Sequence, residues 1–248
     1  MKILFSPSES KTTEFDTENF IDRDSFCCEE LYDYRIEILN LYQELLDNEE
    51  VTSLSKLFGI KDEELVIKLK SKNLFESFTC KAILRYSGVA YKYLDYNSLN
   101  KTSKDFIDNN TIIFSNLFGP IMAKDNIPFY KLKQGETLNG TKTEIHYKKH
   151  FSSKLDEMLK DELIIDLRAK FYEKFYIPNH PRVTLKFIKN SKVVSHWAKA
   201  YRGLLLRELS KYRPNTKSEF ENIEFENLKI MEIIEKGKIT EYIFEILE

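Results

Sequence analysis

Apolar residues recur along this chain in two rhythms, short runs of strand length and longer stripes at helical spacing. Residues 2–5, Lys-Ile-Leu-Phe, form the first run and predict a strand, followed by the polar loop Ser-Pro-Ser-Glu-Ser-Lys-Thr at 6–12. Leu31, Tyr34, Ile38, Leu41, Tyr42 and Leu45 then repeat on one face of a helix. Two shorter helical patterns, 52–57 and 61–72, are joined by Phe58, Gly59 and Ile60. Beyond them, strand-length runs near 82–86, 111–115, 163–167, 183–189 and 240–247 alternate with helical patterns near 89–95, 103–109, 149–160, 169–175 and 196–211. Alternation of this kind predicts an α/β or α+β domain on a mixed sheet, and we read it as α+β. No repeat, low-complexity tract or flexible linker divides residues 1–248, so a single compact domain flanked by helices is expected.

Composition narrows the function classes. The chain is 42% hydrophobic and 31% charged, too apolar for disorder. No stretch approaches the ~18 uninterrupted apolar residues of a membrane helix, so no membrane partner is expected. The opening apolar run is too short for a secretory signal, and the expected location is cytoplasmic. Only seven of 248 residues are glycine, and neither the dinucleotide fingerprint nor the phosphate-loop spacing occurs. NAD and ordinary ATP enzymes are therefore not expected, and no cofactor is called. Cys27, Cys28 and Cys80 match no disulfide framework or zinc module and read as reduced thiols.

The net charge of −2 conceals separated blocks. Residues 14–50 carry thirteen acids against two bases, 182–213 nine bases against one acid, and 219–248 nine acids against three lysines. A field of one sign over 182–213 suits a polyanion, because each phosphate neutralised releases counterions. Pairing of this segment with the acidic helix and tail inside the fold is the other reading.

The basic segment holds the most informative constellation, residues 195–209. On a helix Lys199 and Arg202 share a face, with Arg207 a little over a turn beyond. Gly203 is costly inside a helix, by ~1 kcal/mol relative to Ala, and needs a compensating close approach. Either a ligand approaches there and Arg202 holds its phosphate or carboxylate bidentately, or a second helix crosses at Gly203 and Arg202 sits in a buried ion pair. The loop at 6–12 offers hydroxyls, including Ser6, and the Lys11 cation at a strand's C-terminal end, where ligands sit in open α/β sheets. Residues 54–69 resemble a helix-hairpin-helix unit around Gly59, with Lys56, Lys61 and Lys68 suited to phosphates and Asp62, Glu63 and Glu64 opposed. Phe171, Tyr172, Lys174, Phe175 and Tyr176 form an aromatic-basic cluster that could stack on bases. His146 and His150, four apart, lack the Glu immediately after the first His that the zincin pattern requires, and no metal site is called. His180 and His196 have no neighbouring nucleophile.

Taken in order, these segments resemble the YaaA family of bacterial peroxide stress resistance proteins over nearly the whole chain. The matching segments are ILFSPSESKT at 3–12, YSGVAYKYL at 86–94, IFSNLFGPI at 113–121, IPFYKLKQG at 127–135, IIDLRAKFYEKF at 164–175, and AKAYRGLLLREL at 198–209 with its Lys-x-x-Arg-Gly signature. Departures occur where the family often has Arg, here Ala123 or Lys124 and Lys131, and at Ser10, which replaces a common glycine. A lysine in those places grips a ligand less rigidly than the bidentate arginine. The resemblance implies a protein that helps cells survive hydrogen peroxide by limiting iron-driven damage, and that binds DNA through a basic cleft and a helix-hairpin-helix element at about 52–72.

These readings converge on a DNA-binding stress protein, with duplex or branched DNA as partner. The phosphate-contacting set is Ser6, Lys11, Lys131, Tyr172, Lys199, Arg202, Gly203 and Arg207, with Gly59 and Lys61 at the hairpin. The alternative is an enzyme acting on damaged DNA or a nucleobase with Lys11 or Lys199 as amine nucleophile, since a desolvated lysine beside other cations has a lowered pKa. An iron-handling protein is a third class, for which four His and three Cys form no visible ligand cluster.

Overall fold

In the computed structural model, which describes residues 1–190, 192–193 and 195–247, the first apolar run becomes strand β1 (Lys2–Phe5). Helices α1 (Tyr32–Asn48), α2 (Val51–Phe58) and α3 (Glu63–Lys70) follow. The middle of the chain forms β2 (Thr79–Lys81), α4 (Ala82–Arg85), α5 (Val89–Leu94), α6 (Lys101–Asn110), β3 (Thr111–Ser115), β4 (Gly119–Met122), β5 (Asn126–Pro128), β6 (Thr137–Leu138) and β7 (Thr141–Lys142). The remainder comprises α7 (Thr143–Met158), β8 (Ile164–Asp166), β9 (Arg182–Lys189), β10 (Lys192–Val193), α8 (Ser195–Tyr212), α9 (Lys217–Glu221), β11 (Leu228–Lys236) and β12 (Ile239–Ile246).

One mixed sheet organises the domain in the order β11-β12-β9-β8-β1-β3-β4, with β10 hydrogen-bonded to β9. The five inner strands β12, β9, β8, β1 and β3 run parallel, while β4, β10 and β11 pair antiparallel. Parallel strands are covered on both faces, and β3 is accordingly buried at every position. The α1 stripe delivers Ile38, Leu39, Tyr42 and Leu46 to the same core. The chain leaves β1 toward β3 on one side and leaves β8 toward β9 on the other. The C-terminal ends of β1 and β8 therefore form a topological switch point, where diverging loops leave a crevice. No helix among the described residues is long and apolar enough to cross a membrane.

Several sequence expectations shift in detail. The run at 82–86 is the single helical turn α4, and the strand lies just before it at Thr79–Lys81. A fully buried short run looks the same in either state, and here the buried side chain that decides is Arg85. Its guanidinium donates to the carbonyls of Thr12 and Ile127 and to the Asp16 carboxylate from the end of this turn. Residues 170–174 form a 3-10 helix, not an α-helix. The acidic tail contains an unexpected strand, β11, whose side chains stay largely exposed at the sheet edge and so lack the apolar run that marks β12. Among the described residues, the ion pairs seen for the basic segment run to Asp166, Asp95 and Glu208.

Candidate functional site

A cavity of about 360 Å³ occupies the switch-point crevice. Its walls come from the loop after β1 (Ser6 to Ser10), the segment after β8 (Leu167, Ala169, Tyr172), the start of α5 (Val89, Ala90, Tyr91) with Gly88 before it, Gln134, and Lys199 and Arg202 on α8. Two hydrogen bonds tie these walls together: Ser6 Oγ accepts from the Ala169 amide at 2.8 Å, and Tyr91 donates to the Ser6 carbonyl at 2.9 Å. Ser6 thus links the two diverging loops at the base of the crevice.

The placement of α8 depends on Gly203. A Cβ there would lie 1.9 Å from the Ala90 carbonyl oxygen, so only glycine lets α8 rest directly on α5. This crossing fixes Lys199 and Arg202, one turn apart, opposite the 6–10 loop. Lys199 is exposed, while Arg202 is half-buried in the cavity wall. Arg202 makes no ion pair and has no hydrogen-bond partner among the described residues. Desolvation lowers its pKa, and the attraction of Asp166 partly offsets that. Asp166 is otherwise engaged, with a bidentate clasp on Arg168 at 2.7 and 2.8 Å. Arg202 therefore presents a partly desolvated cation to the cavity, and an anion with two adjacent oxygens would pair with it bidentately.

Arg207 is used differently. It donates to the carbonyls of Leu94 and Asp95 at 2.9 and 3.0 Å and to Ser98 Oγ at 2.9 Å, closing the C-terminal end of α5. It does not line the cavity.

Lys11 lies one layer behind the cavity wall. The loop is zipped to the 85–87 segment by Thr12 N–H to the Arg85 carbonyl and Ser87 N–H to the Ser10 carbonyl, both 3.0 Å. The Lys11 side chain turns inward, donating to the Ser8 carbonyl at 3.0 Å with its ammonium 4.1 Å from the centre of the Tyr130 ring. Below it Tyr86 and Tyr130 hydroxyls meet at 3.0 Å, and Tyr130 meets Ser115 at 2.8 Å. Burial, then the Lys131 cation, holds the Lys11 pKa well below the usual lysine range. Lys131 donates to the Glu9 carbonyl at 2.9 Å, and desolvation lowers its pKa too. Both lysines thus converge on the 8–9 backbone that forms one cavity wall.

Tyr172, named from sequence, lines the cavity, and burial raises its pKa. The hairpin is a neighbour rather than a wall. Gly59 ends α2 at φ +66°, where its amide and that of Ile60 close on the Lys56 and Ser55 carbonyls, a left-handed cap that favours glycine. The Lys133 side chain packs on Gly59, and the next residue, Gln134, lines the cavity; Lys61 is exposed. Sequence reasoning missed Tyr91, Gln134 and the Tyr86–Tyr130–Ser115 cluster. All of them lie in the motifs at 86–94, 113–121 and 127–135, so their signal was present but unassigned to a site.

His146 and His150 are occupied elsewhere. His150 stacks on Tyr34 at 3.9 Å between ring centres, and His146 Nε2 meets the Tyr34 carbonyl at 2.7 Å. The side chain of His196 lies outside the described residues. Among the described residues no three His, Cys, Asp or Glu side chains gather into a metal-holding group.

A family model described as peroxide stress protein YaaA matches residues 1–233. An uncharacterized protein of Campylobacter jejuni is 49% identical over the full length of both chains. A UPF0246 protein of Corynebacterium efficiens is 33% identical over 85% of each chain, and one of Fusobacterium nucleatum 24% identical over 93% of each.

Proposed function

The chain belongs to the YaaA family of peroxide stress proteins, and from that premise we propose that it binds DNA in the peroxide response, shielding it from iron-driven oxidation. The observation that carries this reading is Arg202, a half-buried guanidinium in a cavity wall without a hydrogen-bond partner among the described residues. A backbone phosphate supplies two oxygens in the geometry a guanidinium accepts, and exposed Lys199 one turn away adds a second cation at the mouth. Tyr172 and the backbone of the 6–10 loop border the phosphate, and Gly59 and Lys61 at the neighbouring hairpin extend the track. Duplex or branched DNA titrated by fluorescence anisotropy is expected to bind with a marked salt dependence. Arg202→Ala is expected to weaken binding by roughly tenfold and to reduce the salt slope by about 1. Wild-type protein should also reduce nicking of plasmid by ferrous iron and peroxide more than the variant does. Absence of binding at low salt, or an unchanged affinity in folded Arg202→Ala, overturns the proposal.

A second reading is favoured by Lys11 specifically. An amine held below the ordinary lysine pKa, over a tyrosine ring and beside Lys131, is more often unprotonated than an ordinary lysine and so a better nucleophile. It would add to the aldehyde of an abasic site and lose water to give an imine. Borohydride in the presence of abasic-site DNA would then leave a covalent adduct on wild-type protein and none on Lys11→Met. A pure binding protein gives no adduct with either.

A further inference from the structure

Cys27 and Cys28 take no part in the cavity, yet they are held with unusual specificity. They lie at the turn that leads into α1. Cys28 has φ +60°, a left-handed conformation that costs a non-glycine residue ~1–2 kcal/mol. Two backbone hydrogen bonds hold this turn: the Cys27 amide donates to the Asp125 carboxylate and the Leu31 amide to the Cys28 carbonyl, both at 2.9 Å. The turn carries the two free thiols on adjacent residues. Met158, at the end of α7, places its sulfur 3.5 Å from Cys28 Sγ. A neighbouring thiol pair thus stands beside a thioether from a distant part of the chain, and both cysteines are partly exposed.

We propose that Cys27 and Cys28 form a peroxide-oxidisable pair, in which Cys28 is oxidised by hydrogen peroxide and Cys27 resolves the product as a reversible disulfide between neighbours. The Cys27 hydrogen bond, followed by the Arg35 cation, lowers the Cys28 pKa, while that hydrogen bond and burial raise Cys27. Cys28 is thereby the attacking thiolate and Cys27 the resolving thiol. In the first step the Cys28 thiolate attacks one peroxide oxygen. An S–O bond forms, the O–O bond breaks, and the departing hydroxide takes a proton as water, leaving a sulfenic acid. In the second, the Cys27 sulfur attacks Cys28. The S–S bond forms, the S–O bond breaks, and the hydroxyl leaves with the Cys27 proton as a second water. Two electrons pass from the thiol pair to one peroxide. Neighbouring Cα atoms stand ~3.8 Å apart, below the ~4.4 Å at which ordinary disulfides begin, so the product is strained and easily reduced. That suits a response that must reset. Cys80 is an internal control: it is 2% exposed, and burial pushes its thiol up to about 11.

The proposal is independent of DNA binding and is tested on the full chain, reduced and then exposed to graded hydrogen peroxide, alkylated, and mapped by mass spectrometry without reduction. The peptide holding Cys27 and Cys28 should lose two hydrogens, recover with dithiothreitol, and do so while Cys80 remains alkylatable. Cys27→Ser should stop at a sulfenic acid that dimedone traps, and Cys28→Ser should oxidise roughly tenfold more slowly or less. Equal oxidation of Cys80, oxygen gained on Met158 instead of a disulfide, or both thiols still free after excess peroxide would each overturn it.

Discussion

Lys11 and Arg202 carry the same charge, are both desolvated, and answer to different experiments because one is satisfied internally and the other is not. Lys11 has carbonyl partners and an aromatic face, so its consequence is proton linkage. Its folded pKa lies below the unfolded value of about 10.4, so between the two the unfolded chain binds the extra proton and stability rises with pH. Below the folded pKa the full penalty of burying the cation is present. Equilibrium denaturation should therefore show stability climbing on the alkaline side of neutrality in wild type, and Lys11→Met should lack most of that rise. Above about pH 10 the buried tyrosines, whose pKa values are raised, act with the opposite sign, because the folded state then holds protons the unfolded chain has lost. Arg202, which has no hydrogen bond or ion pair among the described residues and only the attraction of Asp166 to lose, should be replaceable by Ala at a cost under about 1 kcal/mol. Arg207 inverts the pattern. Arg207→Ala removes three hydrogen bonds that close α5 and should cost about 1–3 kcal/mol while leaving the salt slope of DNA binding unchanged. The sequence placed both arginines on the same basic helix, and nothing in their spacing separates a ligand-facing guanidinium from one that caps a neighbour.

At the scale of elements, the α5–α8 crossing matters most to the site. Helix propensity alone would make Gly203→Ala stabilising by about 1 kcal/mol. The added methyl would instead meet the Ala90 carbonyl at 1.9 Å, a backbone atom that cannot swing aside. Steric overlap wins, and chemical denaturation of Gly203→Ala should show a loss of about 3 kcal/mol. Because α5 and α8 both line the cavity, the same substitution should also weaken DNA binding more than Lys199→Ala does. Gly203 was legible as an anomaly, since a glycine in a helical pattern demands a reason; that the reason is a backbone contact with Ala90 is a three-dimensional fact. The edge strand β11 was not legible. Its exposed faces remove the burial that makes an apolar pattern, whereas β12 beside it keeps Tyr242, Phe244 and Ile246 buried and reads clearly.

At the scale of the whole molecule, the sheet makes the C-terminal segment part of the core rather than an acidic tail. β12 lies between β9 and β11 and brings Tyr242, Phe244 and Ile246 inside. At about 2 kcal/mol for each such side chain, their loss consumes much of the ~5–15 kcal/mol that stabilises a domain. A chain ending at Lys236 retains all of the stretch matched by the family model, yet it should be insoluble or unfolded by circular dichroism, with β9 left as an open apolar edge. Periodicity and residue type by themselves indicated many of the elements, the mixed α+β sheet and the basic segment, and singled out Ser6, Tyr172, Lys199 and Arg202 among the residues that border the cavity, because these follow from local burial patterns and side-chain chemistry. Only the tertiary structure decided that the loops after β1 and β8 diverge around a crevice, that Arg202 faces it without a partner among the described residues, that Lys11 stands behind its wall, and that Met158 meets the Cys28 thiol. Each of those depends on which strand lies beside which and on how closely two helices pack. Contacts between residues far apart in the chain leave no periodic signal in it.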